Sequence, residues 1–273
     1  MKKLVNKSPF LVLCAIATLL PMSAQAHKAW LLPSATVLSD HAWVTFDAAV
    51  SNDLFYFNHV PLRLDGLVIT APDGSKVAPA NSTTSKYRNV FDLEVTQDGT
   101  YRVAVVNEGL NASYVNAAGE KKRWRGTESA MASEIPKDAT DVEVTQSSGR
   151  VETFVTSGKP STTALAPTGT GLEMIPQTHP NDLFAEETAT FRFTMDGKPA
   201  SNLDVEIVPG GSRYRDQQNE MRLKTDAEGT LKVTWPTAGM YWLETTVEGA
   251  KSSVKAASKR RASYVATLEV LAP

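Results

Sequence analysis

The sequence predicts an all-β protein made of two antiparallel β-sandwich domains in series, and three observations carry that prediction. Apolar and polar residues alternate at period two in one short stretch after another, as strands with a single buried face require. Turn residues, chiefly Asp-Gly pairs and prolines, punctuate these stretches. No stretch sustains a helical period.

Residues 1–26 read as a secretory signal peptide. Lys2, Lys3 and Lys7 form a basic head, an apolar run follows from Phe10 to Leu20, and Ala24 and Ala26 supply the small residues expected before a cleavage point. The run is too short for a membrane-spanning helix, which needs about 20 apolar residues. A lipid anchor on Cys14 is disfavoured by the bulky Leu13 before it. Cleavage after Ala26 removes Cys14, the only cysteine, so an exported chain has neither a disulfide nor a thiolate ligand. Any metal must then be held by nitrogen and oxygen. The same cut changes 28 basic against 30 acidic residues to 25 against 30, a net charge of −5. That balance speaks against nucleic acid as a partner.

In the first half, Ala42, Val44, Phe46, Ala48 and Val50 alternate with polar or small residues as one strand. The aromatic group Phe55-Tyr56-Phe57 leads to Asn58-His59-Val60-Pro61, where the proline marks a strand end. Leu67 to Thr70 enters a turn at Pro72-Asp73-Gly74. Val90 to Val95, the turn Asp98-Gly99 and Tyr101 to Val106 form a hairpin of the immunoglobulin-like sandwich kind. Ser113 to Trp124 breaks into two short strand-like pieces around Ala118-Gly119-Glu120, a polar segment with Pro136 follows, and Val142 to Val144 and Val151 to Val155 are two further strands. Ser157 to Gly171 has the composition of a linker or long crossover. A domain boundary is placed there, giving domains 27–160 and 161–273.

The second half repeats the style. Thr188 to Met195 turns at Asp196-Gly197-Lys198-Pro199 into Leu203 to Val208. Leu223-Lys224-Thr225 turns at Asp226-Ala227-Glu228-Gly229 into Leu231, Val233 and Trp235. Tyr241 to Val247 and Tyr264 to Leu271 complete the set.

Several of these stretches resemble one exported family, domain of unknown function 4198 (DUF4198). They are Ala26-His27 with Trp30-Leu31-Leu32-Pro33, the run Phe46 to Phe55, Leu172 to Pro176 with Pro180-Asn181-Asp182-Leu183, and the two Asp-centred turns of the second half. The resemblance implies a periplasmic component of cobalt or nickel uptake, with a transthyretin-like or carboxypeptidase-regulatory-like second sandwich. The chain departs from the nickel-uptake relatives, which carry histidine as the second residue after cleavage, whereas cleavage after Ala26 makes His27 the first. Cleavage after Ala24 makes it the third, a position suited to square-planar Cu(II) or Ni(II), but sets Met22 where a small residue is wanted.

A histidine at a chain start offers a metal its α-amine and its ring together, and both can yield their protons near neutral pH. His27 is therefore the primary candidate ligand. His59, at a loop end after the aromatic group, is the second, and His179, between Thr178 and Pro180, is the third. His41, Asp47 and Asp53 are further candidates, for which turn capping or solvation is the simpler role. The basic group Lys121-Lys122-Arg123-Trp124-Arg125 reads as a solvated hairpin arm with Trp124 turned inward; an anionic partner or lipid surface is the alternative. Asp226 sits in a turn that lacks a calcium loop's ligand series.

The expected function is a periplasmic, non-enzymatic protein that buffers a late divalent ion (nickel, cobalt or copper) or delivers it to a membrane transporter or outer-membrane receptor. One alternative is a copper enzyme with a histidine brace. The other is a metal-free interaction module of the envelope.

Overall fold

The computed structural model describes residues 27–273; the expected signal peptide and Cys14 lie outside the described residues. The first half contains β1 (Lys28–Pro33), β2 (Val37–Leu38), β3 (Trp43–Ser51), β4 (Val60–Pro61), β5 (Leu67–Thr70), β6 (Lys76–Val77), β7 (Ala80–Thr84), β8 (Asn89–Glu94), β9 (Gly99–Val115), β10 (Lys121–Gly126) and β11 (Thr140–Ser157). A seven-residue helix, α1 (Glu128–Glu134), separates β10 from β11. The second half contains β12 (Leu172–Pro176), β13 (Thr188–Met195), β14 (Lys198–Pro199), β15 (Asp204–Pro209), β16 (Met221–Lys224), β17 (Thr230–Thr234), β18 (Gly239–Ala250) and β19 (Lys259–Val270). Among the described residues no helix is long and apolar enough to cross a membrane.

The architecture is a pair of β-sandwiches. In the first, strands β1, β3, β8 and β7, with β4 beside β3, face a core containing Trp30, Phe46, Phe91, Tyr101 and Val155. In the second, strands β12, β13, β14 and β17 cover a core containing Phe191, Phe193, Trp235, Tyr241 and Tyr264. The alternation read from the sequence is visible in β3, where Val44, Phe46 and Ala48 are buried while Trp43 and Thr45 are exposed.

The two sandwiches share their opposing layer. A single ten-stranded sheet runs β16, β15, β18, β19, β11, β9, β5, β6, with β10 beside β9 and β2 beside β11, and β11 pairs with β19 in parallel, from Thr145 opposite Lys259 to Thr153 opposite Thr267. The cores interpenetrate accordingly: Trp242 and Val265 belong to the first, and Phe154 belongs to the second. The segment 157–171, expected to be a linker or long crossover, anchors on the sandwich through a short 3-10 turn in which Ala164 and Leu165 are buried, while most of its other residues are exposed. Its polar composition satisfies backbone groups rather than conferring freedom, since Ser161 and Thr100 exchange two hydrogen bonds.

Beyond the cores, β9, β10 and β11 continue as a three-stranded arm. A small apolar cluster of Leu110, Ala112, Val144 and Ala257 supports it, with Trp124, Met131 and Ile135 packed alongside. The helix was not anticipated because it is only two turns long and presents so narrow an apolar face. It is stabilised locally by Thr127, whose hydroxyl accepts from the amide of Ala130.

Candidate functional site

The site grows out of the end of β3. β1 lies along one edge of that strand, with Lys28 opposite Ser51, and β4 lies along the other, with Val60 opposite Val50. His27 and His59 each sit one residue beyond these pairs, on opposite sides of the strand end. Strands two places apart are separated by about 9–10 Å, and the two rings lean across that gap. They stack with centroids 3.9 Å apart and planes 3° from parallel.

The backbone that carries them is held firmly. The Trp30 indole is fully buried, donates to Ser51 Oγ at 2.9 Å and packs against Phe55 and Phe57 at 5.5 and 5.4 Å. Ser51 in turn donates to the Asp53 carbonyl at 2.6 Å. Asn58 closes the loop: its side-chain oxygen accepts from the Asn52 amide, and its nitrogen donates to Asp53 Oδ2 at 2.7 Å. Phe55 adopts φ 62, a left-handed conformation unfavourable for a bulky residue, so the packing must impose it. On the other side, Trp242 of the second half donates to the Ala29 carbonyl and so fixes β1. Both imidazoles remain exposed on this rigid base.

The stacked rings do not form a chelate as they stand. A metal bonded to imidazole nitrogen lies in the ring plane about 2.0–2.1 Å away. Two parallel planes this far apart cannot contain one ion, so one ring must turn about its side-chain torsions to share it. Among the described residues no three His, Cys, Asp or Glu side chains cluster as a metal site. The fold thus brings two exposed imidazoles together at the end of β3.

His179 does not join them. The Asn181 amide donates to its Nδ1 at 3.2 Å, so the proton sits on Nε2, which donates to Thr100 Oγ1 at 2.9 Å and approaches the Ser161 carbonyl at 3.3 Å. Thr100 continues the chain to Thr156, and Thr156 donates to the Asn181 side chain. With both nitrogens engaged and the ring half-buried, the residue is a structural node. It lies beyond the far end of β1, since the Thr156 amide donates to the Thr36 carbonyl, and the six residues that follow His27, through Pro33, alone span about 20 Å at strand rise. The fold therefore holds this third candidate apart from the stacked pair.

The remaining candidates are also placed. His41 contacts Asp98 at 3.2 Å on the surface. Asp47 faces Arg88 at 3.3 Å, and its carboxyl is raised by partial burial against that guanidinium's opposing pull. Asp53 serves the Asn58 latch. Asp226 caps its own turn, accepting from Glu228 and Thr230 amides.

Sequence reasoning missed Lys28 and the loop 210–218. Lys28 points to the opposite face of β1 from His27 and lines a cleft of about 220 Å³ with Asn52, Asp53, Ser212 and Gln218. Its ammonium lies 5.2 Å above the Trp242 ring, 3.5 Å from Gln218 Oε1 and 4.0 Å from Glu206. Nearby, Arg213 stacks on Tyr56 at 4.0 Å, and Tyr214 is 84% exposed. No sequence pattern marks these residues, because strand pairing alone brings them beside the loop.

A match to the family described as Domain of unknown function (DUF4198) spans residues 24–249, the stretch that contains both stacked histidines. The chain belongs to this family. The match bears on ancestry and fold, and its description assigns no activity. No curated protein matches the chain. Among solved structures, an I-band fragment of titin is 12% identical, with TM-score 0.21, covering 90% of this chain and 66% of that one. The D0-D1 domain of intimin is 16% identical, with TM-score 0.23, covering 88% and 97%. A DUF3823 family protein from Bacteroides uniformis is 11% identical, with TM-score 0.23, covering 90% and 100%. At such TM-scores none of them informs the function.

Proposed function

We propose that this is an exported, periplasmic metal-binding protein, in which His27 and His59 hold a late divalent ion and buffer it or pass it to an uptake system. The observation that supports this reading is the stacked pair itself. Two exposed imidazoles from separate strands meet at 3.9 Å on a loop that buried aromatics and an asparagine latch hold in place. Cleavage after Ala26 adds the His27 α-amine as a third nitrogen. Such a donor set suits nickel, cobalt and copper, with raw affinity favouring copper.

The test begins with mass spectrometry of the exported chain, where a start at His27 is expected. Calorimetric titration with Ni(II), Co(II) and Cu(II) then compares the wild type with His27→Ala and His59→Ala. Each variant is expected to lose at least about tenfold in affinity, while His179→Ala is expected to lose none. Wild-type protein that ignores all three ions at micromolar levels ends the proposal.

A second reading, a copper-dependent oxidative enzyme, draws on one observation. The exposed Tyr214 and the Tyr56–Arg213 stack flank the same loop and offer an aromatic surface to a glycan. Peroxide-dependent cleavage of a polysaccharide by the copper-loaded protein distinguishes it from the first.

A further inference from the structure

We infer that β10 is a docking edge for an extended acidic segment of a partner protein, which adds to the arm as another antiparallel strand. β10 pairs with β9 along one edge, from Lys121 opposite Val115 to Gly126 opposite Leu110, and its other edge meets no strand among the described residues. Its side chains divide by face. Lys122, Trp124 and Gly126 point one way, where Trp124 packs on the arm's apolar cluster and donates to Glu134 of α1 at 2.7 Å. Lys121, Arg123 and Arg125 point the other way and are exposed. Among the described residues none of these three makes an ion pair or a side-chain hydrogen bond, whereas Lys122 is paired with Glu120 at 2.8 Å. Three unpaired cations therefore stand in one row, about 6.8 Å apart at strand rise.

The row borders a shallow hollow of about 470 Å³ whose floor is polar: Asn111 and Ser113 from β9, and Glu143 and Thr145 from β11. Strand register sets Arg123, Ser113 and Glu143 in one cross-strand line and Arg125, Asn111 and Thr145 in the next. Two arginines are thus presented on a flat, hydroxyl-bearing face with a single carboxylate beneath them.

Charge decides the occupant. A free edge presents unpaired backbone donors and acceptors, and it invites another strand unless the side chains forbid it. Two copies of β10 placed side by side would oppose cation to cation, so self-association at this edge is barred. A strand with Glu or Asp at alternate positions meets no such barrier and sets a carboxylate against each cation. The chain as a whole is acidic, at net −2, so this row is a local reversal of sign rather than an overflow of general charge.

The test uses the purified protein and a fluorescent decapeptide of alternating threonine and glutamate, followed by anisotropy at low salt. Binding is expected, with slowed amide exchange across residues 121–126. A threonine–lysine decapeptide is expected not to bind. The double variant Arg123→Glu/Arg125→Glu is expected to weaken binding by at least about tenfold. Should that variant not fold, Lys121→Glu alone, read by the same exchange, carries the test. No peptide binding overturns the inference, as does binding that leaves β10 exchange unchanged or survives charge reversal. Association with phosphatidylglycerol vesicles in place of the peptide overturns it too and assigns the row to lipid.

Discussion

His179 shows how a single side chain can carry the chemistry of a ligand and yet serve the fold. Its Nδ1 must stay unprotonated to accept from Asn181, and burial lowers its pKa below the ordinary histidine value, against weaker raising effects of the Ser161 carbonyl and Asp182. A histidine depressed in the folded state gives stability that is complete above the unfolded pKa, about 6.5. That stability is lost as pH falls through the lower folded value. Thermal stability is therefore expected to drop as pH falls below about 6.5, and His179→Gln, which cannot titrate, is expected to flatten that drop. Equal pH slopes for both proteins, measured by thermal denaturation between neutral and mildly acidic pH, count against the assignment. At the same scale, the nomination of His59 rested on a loop-end position after an aromatic run, and the structure does bring it against His27. The sequence ranked it above His179 by position alone, and hydrogen-bond partners are what distinguish the exposed His59 ring from the engaged His179 ring.

At the scale of the element, the loop between β3 and β4 matters more than either ring, because it fixes where His59 can be. Asn58 contributes two hydrogen bonds to it and touches neither imidazole's nitrogen in the described contacts. Replacing it with alanine should loosen the loop while leaving both histidines present. Metal affinity for Asn58→Ala is expected to fall about tenfold, the usual scale for groups that orient ligands, with thermal stability little changed because the residue is exposed. Unaltered affinity, measured by the same calorimetry, would show that the loop is held by its aromatics alone. The strands on either side were legible because β3 and β8 alternate, and Pro61 and Asp98-Gly99 mark strand ends. The length of β9 and β11 was not. Their outer halves have weaker alternation, and only pairing with each other and with β10 makes them strands.

For the whole molecule, the shared sheet makes the two cores one cooperative system. Between them lies a buried polar group: Tyr264 of β19 donates to Glu152 of β11 at 2.6 Å, and Arg150 lies 3.6 Å from Glu152 and 3.9 Å from Glu173. Burial pushes the Glu152 carboxyl up, against the pull of Arg150 and Arg102. Glu152 Oε2 has no hydrogen-bond partner among the described residues, so the cluster has little reserve. Tyr264→Phe leaves the other oxygen bare as well and is expected to cost about 1–3 kcal/mol. The loss should appear in a single unfolding transition, followed alike by signals from Trp30 and Trp235. Two separated transitions would mean that β11 and β19 do not couple the halves.

The sequence by itself determined the class of the fold and the position of most strands and turns, because period-two burial and turn chemistry act over a few residues. Tertiary structure alone decided that the sandwiches share a sheet, that Ala164 and Leu165 anchor segment 157–171, that His27 meets His59 and that His179 stays away. The shared sheet depends on strands paired across more than 100 residues of chain, as with Thr145 and Lys259, and the others on contacts between segments tens of residues apart. Local patterning sets which face of a strand is buried, but not which neighbour buries it.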